Sequence, residues 1–238
     1  MAFQSLFVPA LDTTSLQGSL SDAQTFLGDR PGYVRAHYVV DTYRPPATMA
    51  DAVNLSQLVD AQRQQARDME RTLREAFDLG VANFPDSVRA EFTAGEGEVP
   101  RGFARAARVC GLTLYRHRGK DMRAFDPINI EELLFHSGRP LLLVPEQGME
   151  TAPSSIAVAW NGSRQAARAL ALADPMIRDA DRVAFLTIGK EREGSPSAED
   201  MAAQVAGFGP KTEVIRGDGG KDVGDALARM AIENGYQA

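Results

Sequence analysis

The sequence predicts an α/β protein: doubly wound parallel sheets with helices on both faces, laid down twice in tandem, the second copy incomplete. Three observations carry this. The stretch Asp126–Glu146 reads as one helix-to-strand step. Asp126 is a good N-cap, Pro127 suits the first helical position, and Gly138 supplies the left-handed residue that ends a helix. Leu141–Val144 follows between Pro140 and Pro145, apolar on both faces as a buried central strand of a parallel sheet should be. After a polar, turn-rich connector, 147–154, the chain begins again with Ile156–Ala159, the turn Asn161-Gly162-Ser163 and an alanine-rich helix. Finally, short apolar runs alternate with helical periodicity along both stretches, five strands before the connector and three after it.

In order, Leu6-Phe7-Val8 is a strand that ends at Asp12-Thr13-Thr14. Thr14 and Gln17 have capping-box spacing, and Leu16, Leu20, Ala23 and Leu27 give the apolar face of the helix that follows. Tyr33–Val40 is the second strand, with His37 inside it as a packed ring. Pro45-Pro46 breaks the chain, and Thr48 with Asp51 opens a long helix whose face from Arg63 to Arg74 is charged and solvated. Val88–Phe92 is the third strand, running into Gly95-Glu96-Gly97, and Pro100 opens a short helix that carries Cys110 on its apolar face. With no second cysteine and no base near it in sequence, Cys110 reads as a core residue. Leu112–Tyr115 is the fourth strand. The basic turn behind it, Arg116-His117-Arg118-Gly119-Lys120, stands where an α/β sheet gathers ligands, yet one glycine is too few for a phosphate-wrapping loop. His136, late in its helix, is explained by the helix dipole.

In the second copy, Ser163 caps a helix that Pro175 should bend or end. Val183–Ile188 is a strand, and Ser197 with Asp200 opens the next helix, with Met201, Val205 and Phe208 on one side. Thr212–Ile215 is the third strand, and the last helix begins near Asp222 with Val223, Leu227, Met230 and Ala231 inward.

Composition bounds the function. The 238 residues carry a net charge of -6, with a pI near 5.2 and no long basic stripe, which argues against a nucleic-acid partner. One cysteine allows no internal disulfide, and the N-terminus lacks the basic and apolar regions of a secretory signal. A cytoplasmic, soluble protein with no membrane segment is expected.

The segments Ser137–Pro145 and Val158–Ser163, in that order and at that spacing, resemble the closing strand of one domain and the opening strand and turn of the next in tandem universal stress proteins. The helix after Ser163 and the segment Asp181–Ile188 fit the same pattern, strongest over 125–190. The resemblance implies two domains of the adenine nucleotide alpha hydrolase-like fold, 1–147 and 155–238, the second lacking its last two strands. It also implies a homodimer and, as in many members, ATP or another adenine nucleotide as ligand; no metal is expected, since no metal-spaced His/Cys set occurs. By position the adenosine contacts would be Ala159, Asn161, Gly162, Ser163 and Ile188 in the second domain, and Asp12 and Val39 in the first. Asn161 departs from the acidic residue usual at its place, keeping an acceptor and losing the charge.

The family's phosphate loop is a glycine, two residues, a second glycine, nine residues, then glycine with serine or threonine. The first domain lacks it, since the stretch from Arg118-Gly119 to Ser137-Gly138 has no second glycine at that spacing. Nucleotide binding is therefore expected to be impaired. A binding and regulatory role is expected rather than a catalytic one, because no Ser-Gly-Gly-x-Asp-Ser loop, P-loop, metal-spaced His/Cys set or Ser-His-Asp arrangement occurs. The alternatives are an ATP-cleaving enzyme on the same sheet and a purely structural interaction protein. A strand order of 3-2-1-4-5 would leave Ile156–Ala159 an open edge, so a longer parent protein is expected, with about 35 to 40 further residues completing the second sheet.

Overall fold

A computed structural model describes residues 3–41, 55–117, 126–189, 194–219 and 222–238. The chain divides into two compact units, one comprising Gln4–Thr151 and the other containing Ala152–Ala238.

Among its described residues the first unit alternates strands and helices: β1 (Ser5–Pro9), α1 (Thr13–Leu27), β2 (Gly32–Asp41), α2 (Leu55–Val81), β3 (Val88–Gly97), α3 (Val99–Ala107), β4 (Leu112–Arg116), α4 (Asp126–His136) and β5 (Leu141–Val144). All pairings are parallel and the sheet order is β3-β2-β1-β4-β5. Each connection carries a helix because parallel neighbours need a crossover. Val34 and Ala36 are buried on one face of β2, while Val39, with Phe7 and Tyr115, packs on the other against Phe103 and Ala107 of α3 and Leu133 of α4.

The sequence expectation for Leu141–Val144 is corrected here. β5 is an edge strand, and Leu143 is 46% exposed. An apolar run shows that both faces can be buried, but sheet order is set by the crossovers. The opening of the second helix at Thr48 and Asp51 lies outside the described residues. α1 is capped by Asp12, not Thr14: its carboxylate accepts from the Ser15 amide at 2.9 Å. α3 stops at Ala107, so Cys110 sits in the following turn, its amide donating to the Ala107 carbonyl, rather than on a helix face.

The second unit contains β6 (Ser155–Ala159), α5 (Arg164–Asp179), β7 (Arg182–Ile188), α6 (Ala198–Ala206), β8 (Lys211–Gly217) and α7 (Val223–Glu233), in a parallel sheet ordered β6-β7-β8. Trp160 stacks edge-on to Phe185 at 6.2 Å within a core that includes Ile156, Ile177 and Val205. α5 runs through Pro175 without ending there; Ile177 is buried, and Arg178 pairs with Asp174 at 2.7 Å across the last turn, so packing outweighs the lost backbone bond. Phe208 lies beyond α6, 43% exposed under the Arg178 guanidinium, and Val223 points outward.

The free edge of β6 is not bare. The Gln237 and Ala238 amides donate to the Ser155 carbonyl at 3.0 and 3.2 Å, and the Ala157 amide donates to the Ala238 carbonyl at 2.5 Å. Beside β1 the same place is taken by Gly111, whose amide donates to the Ser5 carbonyl at 2.8 Å, and by Leu112, paired with Leu6. The expectation of an open edge is corrected for Ser155–Ala157.

Candidate functional site

The residues singled out in the sequence fall at the carboxyl ends of neighbouring strands. In the second unit Ala159 ends β6 and Ile188 ends β7, and the Trp160 amide donates to the Leu186 carbonyl at 2.8 Å between them. The turn that follows uses its own polar groups. Asn161 Oδ1 accepts from the Ser163 amide at 3.1 Å, and Ser163 Oγ accepts from the Ala166 amide at 3.1 Å as the N-cap of α5. Gly162 has φ 68°, and a side chain there would begin 2.7 Å from Ser195 Cβ. The indole N–H of Trp160 donates to the Pro196 carbonyl at 3.1 Å, holding that loop against the turn. Ile188 is closely approached by Gly219, where an added Cβ would stand 2.7 Å from the isoleucine methyl.

In the first unit Asp12 follows β1 and Val39 lies near the carboxyl end of β2, and the Ala10 amide joins the two strands by donating to the His37 carbonyl at 2.8 Å. Asp12 serves as a helix cap. Val39 is buried against Gly102 of α3, where a Cβ would meet its methyl at 2.7 Å.

The basic turn loses its leading charge to a structural role. Arg116 donates through Nε and Nη2 to the Asp22 carboxylate at 2.7 and 2.6 Å, and Asp22 is 1% exposed. Residues 118–120 of that turn lie outside the described residues. His136 is exposed at the end of α4, 3.8 Å from Glu132 Oε2. Burial pushes the Cys110 thiol up, which keeps it protonated and inert. Among the described residues no cluster of His, Cys, Asp or Glu could hold a metal ion, and no helix is long and apolar enough to cross a membrane.

The first unit also contains a cavity of about 510 Å³ on the α3 side of β2 and β3. His37 and Thr93, register partners on these strands, form its floor, and Arg35 flanks them. Thr93 Oγ1 lies 3.2 Å from the Ala36 carbonyl and 2.8 Å from His37 Nδ1; its one proton can go to either, and the imidazole tautomer follows that choice. Burial, then the Arg35 charge, lowers the His37 pKa from 6.5 and favours the neutral ring. Arg35 is held by Glu91 at 3.0 Å and by the Tyr33 hydroxyl, which also donates to Glu91. The Tyr33 bond, then Arg35, lowers the Glu91 pKa. The wall facing this floor is α3, with Arg101, Gly102 and Arg105. Reading the sequence missed the cavity: His37 and Thr93 meet 56 residues apart, and only the mid-strand Gly95 hinted at space there.

No protein-family model and no curated protein matches the sequence. Solved structures do. A universal stress protein from Archaeoglobus fulgidus DSM 4304 is 15% identical, covers 98% of this chain and 85% of its own, and superposes with a TM-score of 0.65. A protein of the universal stress protein family from Burkholderia pseudomallei is 23% identical over 60% of this chain and 96% of its own, with a TM-score of 0.39. A universal stress protein in complex with cAMP is 14% identical over 61% of this chain and 99% of its own, with a TM-score of 0.33. The chain therefore has the Rossmann-like α/β fold of the universal stress proteins, with a complete five-stranded parallel sheet followed by a three-stranded one.

Proposed function

We propose that this chain is a stress-response protein that binds and regulates rather than catalyses, and that its adenine-nucleotide binding is impaired. In this reading 1–147 and 155–238 are two universal stress protein-like domains, the second without its last two strands, and the protein works in the cytoplasm as a homodimer. The observation that carries the reading is the state of the Asn161-Gly162-Ser163 turn. Its carboxamide and hydroxyl oxygens already accept amide protons of the turn and of α5, and Ser195 stands against Gly162. A ribose or adenine would find one lone pair on each oxygen already taken and the space before Gly162 narrowed by Ser195. The first domain offers Asp12 and Val39, but Asp12 is engaged as a helix cap and the glycine pattern that wraps phosphates is missing from the sequence.

The test is a titration of the full chain with a fluorescent ATP analogue, followed by assay for AMP and phosphate. Saturable binding weaker than about 100 μM, roughly 5.5 kcal/mol, without turnover is the expected result. Release of AMP or phosphate would favour the ATP-cleaving alternative. Micromolar binding without turnover would refute the impairment while leaving the regulatory role standing.

A further inference from the structure

We infer that Asp126 is a built-in anion that keeps phosphate groups away from the amino end of α4, so that the strand-end site of the first unit selects against phosphate-bearing ligands. The inference rests on the reading above, in which an adenine compound would lie at the strand ends of that unit.

The place is one where an α/β sheet ordinarily binds anions. The order β3-β2-β1-β4-β5 changes direction between β1 and β4, and ligands of such sheets collect beyond the carboxyl ends of the strands at that point. β4 ends there at Arg116, and α4 is the helix that carries the chain on to β5. Asp126 Oδ1 accepts from the Tyr115 hydroxyl at 3.1 Å, which fixes the amino end of α4 beside that strand end. The first turn of this helix of 11 residues offers amide N–H groups and the positive end of a dipole, both suited to a phosphate. A guanidinium at the end of β4 would add to the attraction.

Both features are already occupied by the protein's own carboxylates. Asp22 takes Arg116 through two bonds, at 2.7 and 2.6 Å. Asp126 opens α4 and is 3% exposed, so its charge complements the dipole and is poorly screened by water and salt. Tyr115, whose hydroxyl could have donated to a phosphate, gives its proton to Asp126 instead. Asn129, three residues on and on the same face of the helix, is 2% exposed, and its Oδ1 has no partner among the described residues. This face of the first turn therefore presents acceptors and a negative charge. A phosphate brings more of both, whereas adenosine brings no charge to be repelled.

The experiment is calorimetric titration of the full chain with ATP and with adenosine, in the parent, Asp126→Asn and Asp126→Ser. The asparagine keeps an oxygen for the Tyr115 hydroxyl and removes only the charge; the serine keeps a hydroxyl suited to the amino end of a helix. In the parent, adenosine should bind at least as tightly as ATP. Both variants should bind ATP about tenfold more tightly than the parent and adenosine within about twofold of it. Thermal melting establishes that each variant is folded. Weak ATP binding in the parent and in both folded variants would overturn this inference alone. So would an equal gain for adenosine, which would mean a loosened site rather than a removed charge. Parent protein that binds ATP more tightly than adenosine would overturn it without any variant. Micromolar ATP binding by the parent would refute the impairment itself, and this inference with it.

Discussion

Arg116 and Asp22 face each other across 94 residues of chain in a two-pronged ion pair, Nε to Oδ2 at 2.7 Å and Nη2 to Oδ1 at 2.6 Å. It joins the end of β4 to the middle of α1, and Gly18 and Gly148 make room: a Cβ at either would fall within 2.6 Å of a guanidinium nitrogen. Asp22 also accepts from the Met149 amide at 2.9 Å, so the carboxylate fastens the segment after β5 as well.

Removing one partner of a pair this buried leaves the other uncompensated. Asp22→Ala should destabilise the chain by about 3–5 kcal/mol in urea unfolding. Changing both residues, Asp22→Leu with Arg116→Met, should recover part of that loss. If each change acted alone and the two simply added, the pair would not be coupled.

His37 gives the unfolding free energy a pH dependence of defined sign. Its folded pKa lies below 6.5, so at mildly acidic pH the unfolded chain binds the proton more readily than the folded one. Its contribution to stability is complete above the unfolded value of 6.5 and is lost as pH falls from there through the lowered folded pKa. Urea titrations at pH 7.5 and pH 5.5 should show lower stability at the acid value, and His37→Gln should reduce that difference. An unchanged difference in the variant would place the proton uptake elsewhere.

What is legible in the sequence is what is local. The order of strands and helices rests on periodicity and punctuation, and Ser163, Ser197 and Asp222 each cap the helix that the sequence assigns to them. At Ser197 the full capping box with Asp200 forms. The first helix shows the limit of local signals. Thr14 and Asp12 are both plausible caps, and the choice falls to the chain's exit from β1, which leaves Asp12 extended at φ -156°. Leu141–Val144 is legible as a strand but not as an edge, because four apolar residues say nothing about which neighbours they have. The Asn161 turn is legible too, yet its oxygens bond within the turn and helix, which residue type alone does not reveal. The His37 cavity depends on β2–β3 register and on where α3 lies, both non-local.

Ser163 separates a capping role from a ligand-binding one. Ser163→Ala removes the oxygen that accepts the Ala166 amide proton and should cost about 1 kcal/mol of stability. Weak nucleotide binding, measured with the fluorescent analogue well below the melting temperature, should stay within about twofold of the parent. A large loss of affinity with unchanged stability would mean that the hydroxyl serves a ligand.

The last three residues make the sharpest structural prediction. Gln237 Oε1 accepts from the Ser154 and Ser155 amides at 2.9 and 3.2 Å, while the Gln237 and Ala238 amides donate to the Ser155 carbonyl. Tyr236 anchors this clasp, packing with Ala184 and Leu186 of β7. Its ring is 8% exposed, with the Arg182 guanidinium 4.8 Å from its centroid, and its hydroxyl donates to Glu213. The Tyr236 bond, then Arg182, lowers the Glu213 pKa, so this part of the anchor holds above 4.5 and weakens as pH falls through the lowered value. Deleting 236–238 would strip backbone partners from Ser155 and Ala157, on a strand whose sequence Ser-Ile-Ala-Val-Ala carries neither charge nor proline to deter pairing. Light scattering across a concentration series should then show larger assemblies for the shortened chain than for the parent at equal concentration. Tyr236→Ala, which loosens the anchor but leaves the clasp in sequence, should fall between them. Identical masses for all three chains would show that the β6 edge needs no such cover.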